Sequence, residues 1–231
     1  MKITLKSRAV FLAFVMPAAA LLAALGTRFF LSQDTISPAH NYTVVLDAGH
    51  GGDDPGKVSS SGILEKDINL QITLKCKTVL EQNGITVLLT RNSDKSLDGS
   101  GSVNKKAADL KNRKTIIMEN KPDCAVSIHQ NSYPDISQSG SQVFYQTGND
   151  KSRLLANYIQ NQIRTVTSKD NRREIKPNSD YYLLRDNPVP TVIAEVCFLS
   201  NPSEAELITE EYIQDKAAFA IAMGIMQYLL A

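Results

Sequence analysis

Val44-Val45-Leu46-Asp47-Ala48-Gly49-His50-Gly51-Gly52 reads as a buried strand that runs out into a glycine-flanked histidine. Val44 to Leu46 is a short apolar, β-branched run, the pattern of a strand covered on both faces. The glycines let the backbone turn sharply and leave His50 unobstructed at the strand's carboxyl end. In open α/β sheets that end is where ligands bind. An imidazole there suits metal ligation or proton transfer. A lone histidine is more often a plain turn residue, so partners must come from elsewhere in the chain.

Working outward, the segment after Gly51 is polar and glycine-rich up to Gly62, and Leu64-Glu65-Lys66-Asp67 then opens a helix. Ile68, Ile72, Cys76 and Val79 lie on one stripe of it, and Asn83-Gly84 stops it. Glu65 falls in the first turn, where the helix dipole favours a carboxylate whatever its function. Ile85 to Thr90 is a second strand, and a polar loop leads to a helix from Ala107 to Asn120, with Leu110, Ile117 and either Thr115 or Met118 facing inward. Cys124 to Ile128 is a third apolar strand, and it also ends in a histidine, His129. Parallel strands share one carboxyl edge, so the two imidazoles can converge there.

Further strands are expected at Gly140–Gln146, Tyr181–Leu184 and Thr191–Val196, and helices at Ser152–Val166 and Glu211–Leu230. Asn201-Pro202-Ser203-Glu204 carries a cap, a proline at the first position and an acid at the third, a helix start. Strands alternating with helices predict a single α/β domain, a mostly parallel sheet flanked by helices on both faces. Glu195 interrupts the Thr191–Val196 run. A carboxylate among apolar neighbours is costly to bury unless paired or metal-linked, which singles it out.

The chain has 231 residues, 42% hydrophobic and 21% charged, ordinary for one sizeable core. Lys2, Lys6 and Arg8 precede an uncharged apolar run from Ala9 to Gly26. That order marks export, as a signal peptide or as an N-terminal membrane anchor over residues 1–31, with the balance of features towards an uncleaved anchor. Residues 32–41 read as a linker and 42–231 as the working domain, placed on the outer side of the cytoplasmic membrane. Residues 42–231 hold 21 basic and 23 acidic residues, which argues against nucleic acid as a partner. Cys76, Cys124 and Cys197 offer no CxxC spacing, so a cysteine zinc site is not suggested.

Two histidines and a carboxylate make a three-ligand zinc site with a fourth position open to water, and a second carboxylate can shuttle the water's proton. The candidates are His50, Glu65 and His129 as ligands and Glu195 as base and acid. The long intervals fit no short metalloprotease motif such as HExxH. No GxSxG elbow supports a serine nucleophile.

Four blocks resemble the zinc-dependent N-acetylmuramoyl-L-alanine amidases of the family-3 type, bacterial cell-wall enzymes. They are Val45–Gly52, Gly62–Asp67, Ser127–Asn131 and Glu195–Asn201, and the resemblance covers about Tyr42 to Ala231. It implies one zinc ion on His50, Glu65 and His129, with Glu195 catalytic. It also implies hydrolysis of the amide between the lactyl group of N-acetylmuramic acid and the L-alanine of the peptidoglycan stem peptide. Lys176-Pro177-Asn178 followed by Tyr181-Tyr182-Leu183-Leu184-Arg185 is most like the spore-cortex, germination-type branch. There, peptide removal precedes muramic-δ-lactam formation, and the place of action is the cell wall or the forespore intermembrane space. The loop from Tyr133 to Gln142 is too short for the blocking helix of division-type members. An amidase without a wall-binding module would draw on an activating or recruiting protein. Asn131 and Arg185 are candidate substrate contacts, with a turn cap and a surface ion pair as their plain alternatives. Cys197 stands where the family usually has glycine, and strict alternation would turn it to the same face as Glu195. A vegetative-wall amidase, a zinc peptidase cutting within the stem, and a wall-binding protein without activity are the competing readings.

Overall fold

The computed structural model describes residues 41–99 and 103–231. Its first strand, β1 (Thr43–Ala48), is fully buried from Val44 onward, as its unbroken apolar run requires. It lies between β2 (Thr86–Leu89) and β3 (Cys124–Asn131), parallel to both. Then come β6 (Thr191–Phe198), parallel to β3, and β4 (Gln142–Gln146), antiparallel to β6. The edge strand is β5 (Lys176–Asn178), parallel to β4, giving the order β2-β1-β3-β6-β4-β5. One antiparallel pair in an otherwise parallel sheet agrees with the expected α/β class.

Helices cover the two faces unequally. On one face α1 (Glu65–Gln82), α3 (Asp150–Ile163) and α5 (Glu211–Leu229) share a core with Val44, Leu46, Val126 and Ile128. Ile68, Ile72, Cys76 and Leu80 form the buried stripe of α1. Each such side chain contributes roughly 1.5–3 kcal/mol on leaving water. Gly224 sets the approach of α5 to α3, because a Cβ there would stand 2.6 Å from the Ile159 Cα. On the other face α2 (Lys105–Asn120) packs Ile117 against Val45 and Ala125. Neither Thr115 nor Met118 is buried in α2; its second buried residue is Arg113. The short α4 (Pro202–Leu207) starts as expected, with the Asn201 side chain accepting from the Ser203 and Glu204 amides.

One expected strand is replaced by a turn. Residues 181–184 bend, and the edge strand lies earlier, at Lys176–Asn178. The Asn178 carboxamide oxygen accepts from the amides of Asp180 and Tyr181, both at 2.8 Å. This side-chain turn ends the ladder and carries Tyr181 towards the sheet's carboxyl edge. The expected signal or anchor segment lies outside the described residues. Among the described residues no helix is long and apolar enough to cross a membrane.

Candidate active site and metal centre

Three elements end at one place: β1 delivers His50, the first turn of α1 delivers Glu65, and β3 delivers His129. His50 Nε2 lies 3.2 Å from Glu65 Oε2, and His129 Nδ1 lies 2.9 Å from Glu65 Oε1. The imidazole centroids are 5.0 Å apart, edge to face. One donor atom from each residue falls within 4.8 Å of the others, close enough to share one cation. Two imidazoles and a carboxylate are a donor set that suits zinc. Glu65 is almost wholly buried. Burial alone would raise its pKa, but bonds from His129 and His50 hold it well below the usual range. Burial disfavours charge on His50, while Glu65 and Asp54 outweigh this and lift it to about 9. The carboxylates thus favour positive charge between the rings, as a metal cation would supply.

The backbone around His50 is held from beneath. His50 has φ 63°, a left-handed conformation uncommon for a residue with a side chain. Two buried guanidinium groups fasten it. Arg113 donates to the carbonyls of Ala48 and His50, each at 2.6 Å. Arg91 donates to the carbonyls of Ala48 at 2.8 Å and Gly49 at 3.0 Å. Arg113 in turn pairs with buried Asp47 at 2.7 Å. Asp47 is pushed up by burial but drawn down to about 2 by Arg113 and by hydroxyl bonds from Ser127 and Thr90. On the far side of His50, Nδ1 meets Asp54 Oδ2 at 2.8 Å, which fixes the ring and leaves Nε2 facing Glu65.

Close packing places His129. A Cβ on Gly49 would sit 2.2 Å from His129 Cε1, so the ring lies flat against a residue that has to be glycine. Beside His129, Glu195 is its register partner across β3 and β6. Glu195 is buried, and its Oε2 has no hydrogen-bond partner among the described residues. Burial raises its pKa to about 7, with Glu65 adding to the rise and His129 and His50 opposing it. A cavity of about 430 Å³ opens over this group, walled by Asn131, Tyr181, Tyr182, Leu183 and Ile193. Burial, then Glu195 and Glu65, push the Tyr181 phenol up to about 12, so it stays a neutral donor.

The structure therefore brings together His50, Glu65, His129 and Glu195. Asn131 lines the same cavity, while its side chain also accepts from the Ser132 amide, the turn role. Arg185 is exposed and not part of the lining; its guanidinium lies 5.6 Å over the Tyr182 ring, which is. Cys197 differs from the alternation expectation. The β3–β6 register shifts between His129 and Asn131, a β-bulge. As a result Val196 and Cys197 both enter the main core, away from Glu195's cavity. All three cysteines are buried and unbridged.

Asp54, Arg91 and Arg113 escaped the sequence reading, and Tyr181 entered it only within the Tyr181–Arg185 block, without a role at the site. Of the first three only Asp54 left a signal, its i+4 spacing from His50.

Residues 44–227 match the family model described as N-acetylmuramoyl-L-alanine amidase. The chain is 36% identical over 194 residues to the germination-specific N-acetylmuramoyl-L-alanine amidase of Bacillus subtilis, covering 83% of this chain and 81% of that one. The CwlD amidase of Clostridioides difficile, solved with the GerS lipoprotein, superposes with a TM-score of 0.79 at 44% identity, covering 82% of this chain and 99% of that one. The catalytic domain of CwlV from Bacillus (Paenibacillus) polymyxa gives a TM-score of 0.71 at 32% identity, covering 81% and 98%. With the family model spanning most of its length, this chain belongs to the N-acetylmuramoyl-L-alanine amidase family.

Proposed function

We propose that this chain cuts peptidoglycan at the amide joining the lactyl group of N-acetylmuramic acid to the L-alanine of the stem peptide. His50, Glu65 and His129 would hold one zinc ion, and Glu195 would move the proton. The observation that carries the reading is Glu195, which lines the cavity beside the three-donor group while its Oε2 is buried with no hydrogen-bond partner among the described residues. An orphaned buried carboxylate oxygen is costly unless something arrives to use it.

Bound there, zinc supplies Lewis acidity, polarising a carbonyl oxygen and lowering the pKa of water towards ~7. The rest falls to the protein. The cavity seats the amide over the three ligands. Glu195 takes the proton of the attacking water and returns it to the departing nitrogen. A C–O bond forms and the C–N bond breaks, giving a lactyl carboxylate and a free L-alanine amine. The neutral Tyr181 phenol is a donor at the cavity wall for a substrate oxygen.

The likeness to the germination-specific amidase and to CwlD supports a role in the spore cortex, where peptide-free muramic acid would feed δ-lactam formation. CwlD's co-structure with a lipoprotein supports an activating or recruiting protein here as well. An exported location, with the N-terminal segment as leader or anchor, follows from the site of the substrate.

Mass spectrometry of peptidoglycan incubated with the full chain and zinc tests the reading, with Glu195→Gln run beside it. Free stem peptides that begin at L-alanine, lost in the variant, are the expected result. Fragments cut inside the stem would make it a peptidase, and no release by the zinc-loaded chain, either alone or with such a partner protein added, would overturn the amidase reading.

A further inference from the structure

Behind the metal ligands a line of buried polar groups runs through the core. Glu65 Oε1 accepts from the side-chain amide of Asn69 at 3.2 Å and from the backbone amide of Gln130 at 3.1 Å. Asn69 Oδ1 accepts from Gln130 Nε2 at 3.1 Å. Gln130 Oε1 accepts from the Cys197 thiol at 3.1 Å. Asn69, Gln130 and Cys197 are 0%, 3% and 0% exposed, so water cannot replace any link.

The direction of every bond in this line is forced from the Glu65 end. Glu65 and the Gly49 carbonyl, 3.2 Å from Asn69 Nδ2, are both acceptors. Asn69 must therefore present its NH₂ to them and its oxygen to Gln130. Gln130 must then turn its own NH₂ to Asn69, which leaves its oxygen facing β6. In this chain a donor at 197 completes the line, and the Cys197 thiol supplies it. The β-bulge after His129 makes this possible, because it turns Cys197 off the Glu195 face and onto Gln130.

We propose that Asn69, Gln130 and Cys197 are positioning residues: a one-way chain of donors that fixes the plane of the Glu65 carboxylate for the metal. The proposal rests on the metal reading above. It gives Cys197 a role as a thiol, neither ligand nor nucleophile. It also explains the i, i+4 placement of Asn69 after Glu65 on α1. With Asn69 and the Gln130 amide on one oxygen and the Lys57 amide on the other at 2.8 Å, the carboxylate cannot rotate between its two histidines.

The test is zinc affinity of the full chain by chelator competition, together with the visible absorption of the cobalt-loaded protein, which reports ligand geometry directly. Asn69→Ala and Gln130→Met are expected to weaken zinc about 10- to 100-fold, as loss of partners behind a ligand typically does. Cys197→Ala is expected to weaken it by a smaller factor, and Cys197→Ser to restore it, since a hydroxyl also donates. The cobalt bands should shift in the first three variants and return in Cys197→Ser. Metal-free melting curves identify any variant that has not folded; Gln130→Met and Cys197→Ala remain decisive if Asn69→Ala fails. Folded variants with unchanged zinc affinity and cobalt bands would overturn the chain while leaving the metal site intact. A wild-type chain that binds no zinc would overturn both.

Discussion

Glu195 stands beside His129 as its register partner across two parallel strands, with Glu195 buried and one of its oxygens unbonded. Neighbours in a parallel ladder point to the same face, so the sheet itself holds the carboxylate beside the His50–Glu65–His129 group. Replacing Glu195 by Gln keeps shape and burial but removes the proposed base. Amidase turnover should fall by roughly 10²–10⁴-fold, the usual contribution of a general base. Zinc content, measured on the same sample, should not change. Loss of zinc alongside activity would mean that Glu195 is a ligand.

The same burial predicts how stability depends on pH. Glu195 is raised from 4.5 to about 7. Between those values the folded state keeps a proton that the unfolded state has lost, so the unfolded state binds fewer protons and stability falls as pH rises. Full ionisation costs on the order of 3 kcal/mol, at ~1.4 kcal/mol per pH unit. In metal-stripped protein, Glu195→Gln should raise the melting temperature at pH 8 and leave it nearly unchanged at pH 4. An equal gain at both values would remove the titration explanation.

That the two histidines and two glutamates converge was legible because each breaks a simple pattern. His50 and His129 end apolar runs, Glu65 opens a helix, and Glu195 interrupts a buried strand. Hydrophobic periodicity therefore gave both the sheet and its functional edge. What supports them was not legible. Arginine is rarely buried, so nothing in composition marks Arg91 and Arg113 as core residues. A bulge shifts alternation by one position without any local sequence mark, which is why Cys197 was placed on the wrong face. Tyr181-Tyr182-Leu183-Leu184 has strand composition, but Asn178 satisfies the following amides first and makes a turn.

Arg113 couples folding to the site. It is the only cation within ion-pair reach of buried Asp47 among the described residues, and it holds the carbonyls of Ala48 and His50. Arg113→Ala should cost about 3–5 kcal/mol, the usual penalty for breaking a buried pair. Adding Asp47→Asn removes the stranded charge and should recover part of that stability. It should not recover zinc affinity, because the left-handed backbone at His50 would still lack its clasp. Denaturant melts and zinc titrations on both variants separate the two effects; parallel recovery of both would reduce Arg113 to a plain core residue.

Gly49 offers the opposite case, a site effect with little change in fold. No left-handed backbone angle requires glycine at this position; the constraint is the imidazole of His129, 2.2 Å from where a Cβ would be. The His129 side chain lines the cavity and is 21% exposed, so it can swing outward rather than force the sheet apart. Gly49→Ala should therefore leave the melting temperature of metal-free protein within a few degrees of wild type, a loss of order 1 kcal/mol. Displacing one of the three proposed ligands should abolish tight zinc binding and activity together. The cobalt-loaded spectrum would show the lost histidine. A variant that keeps wild-type zinc affinity would mean that His129 reaches the metal by a route the glycine does not control.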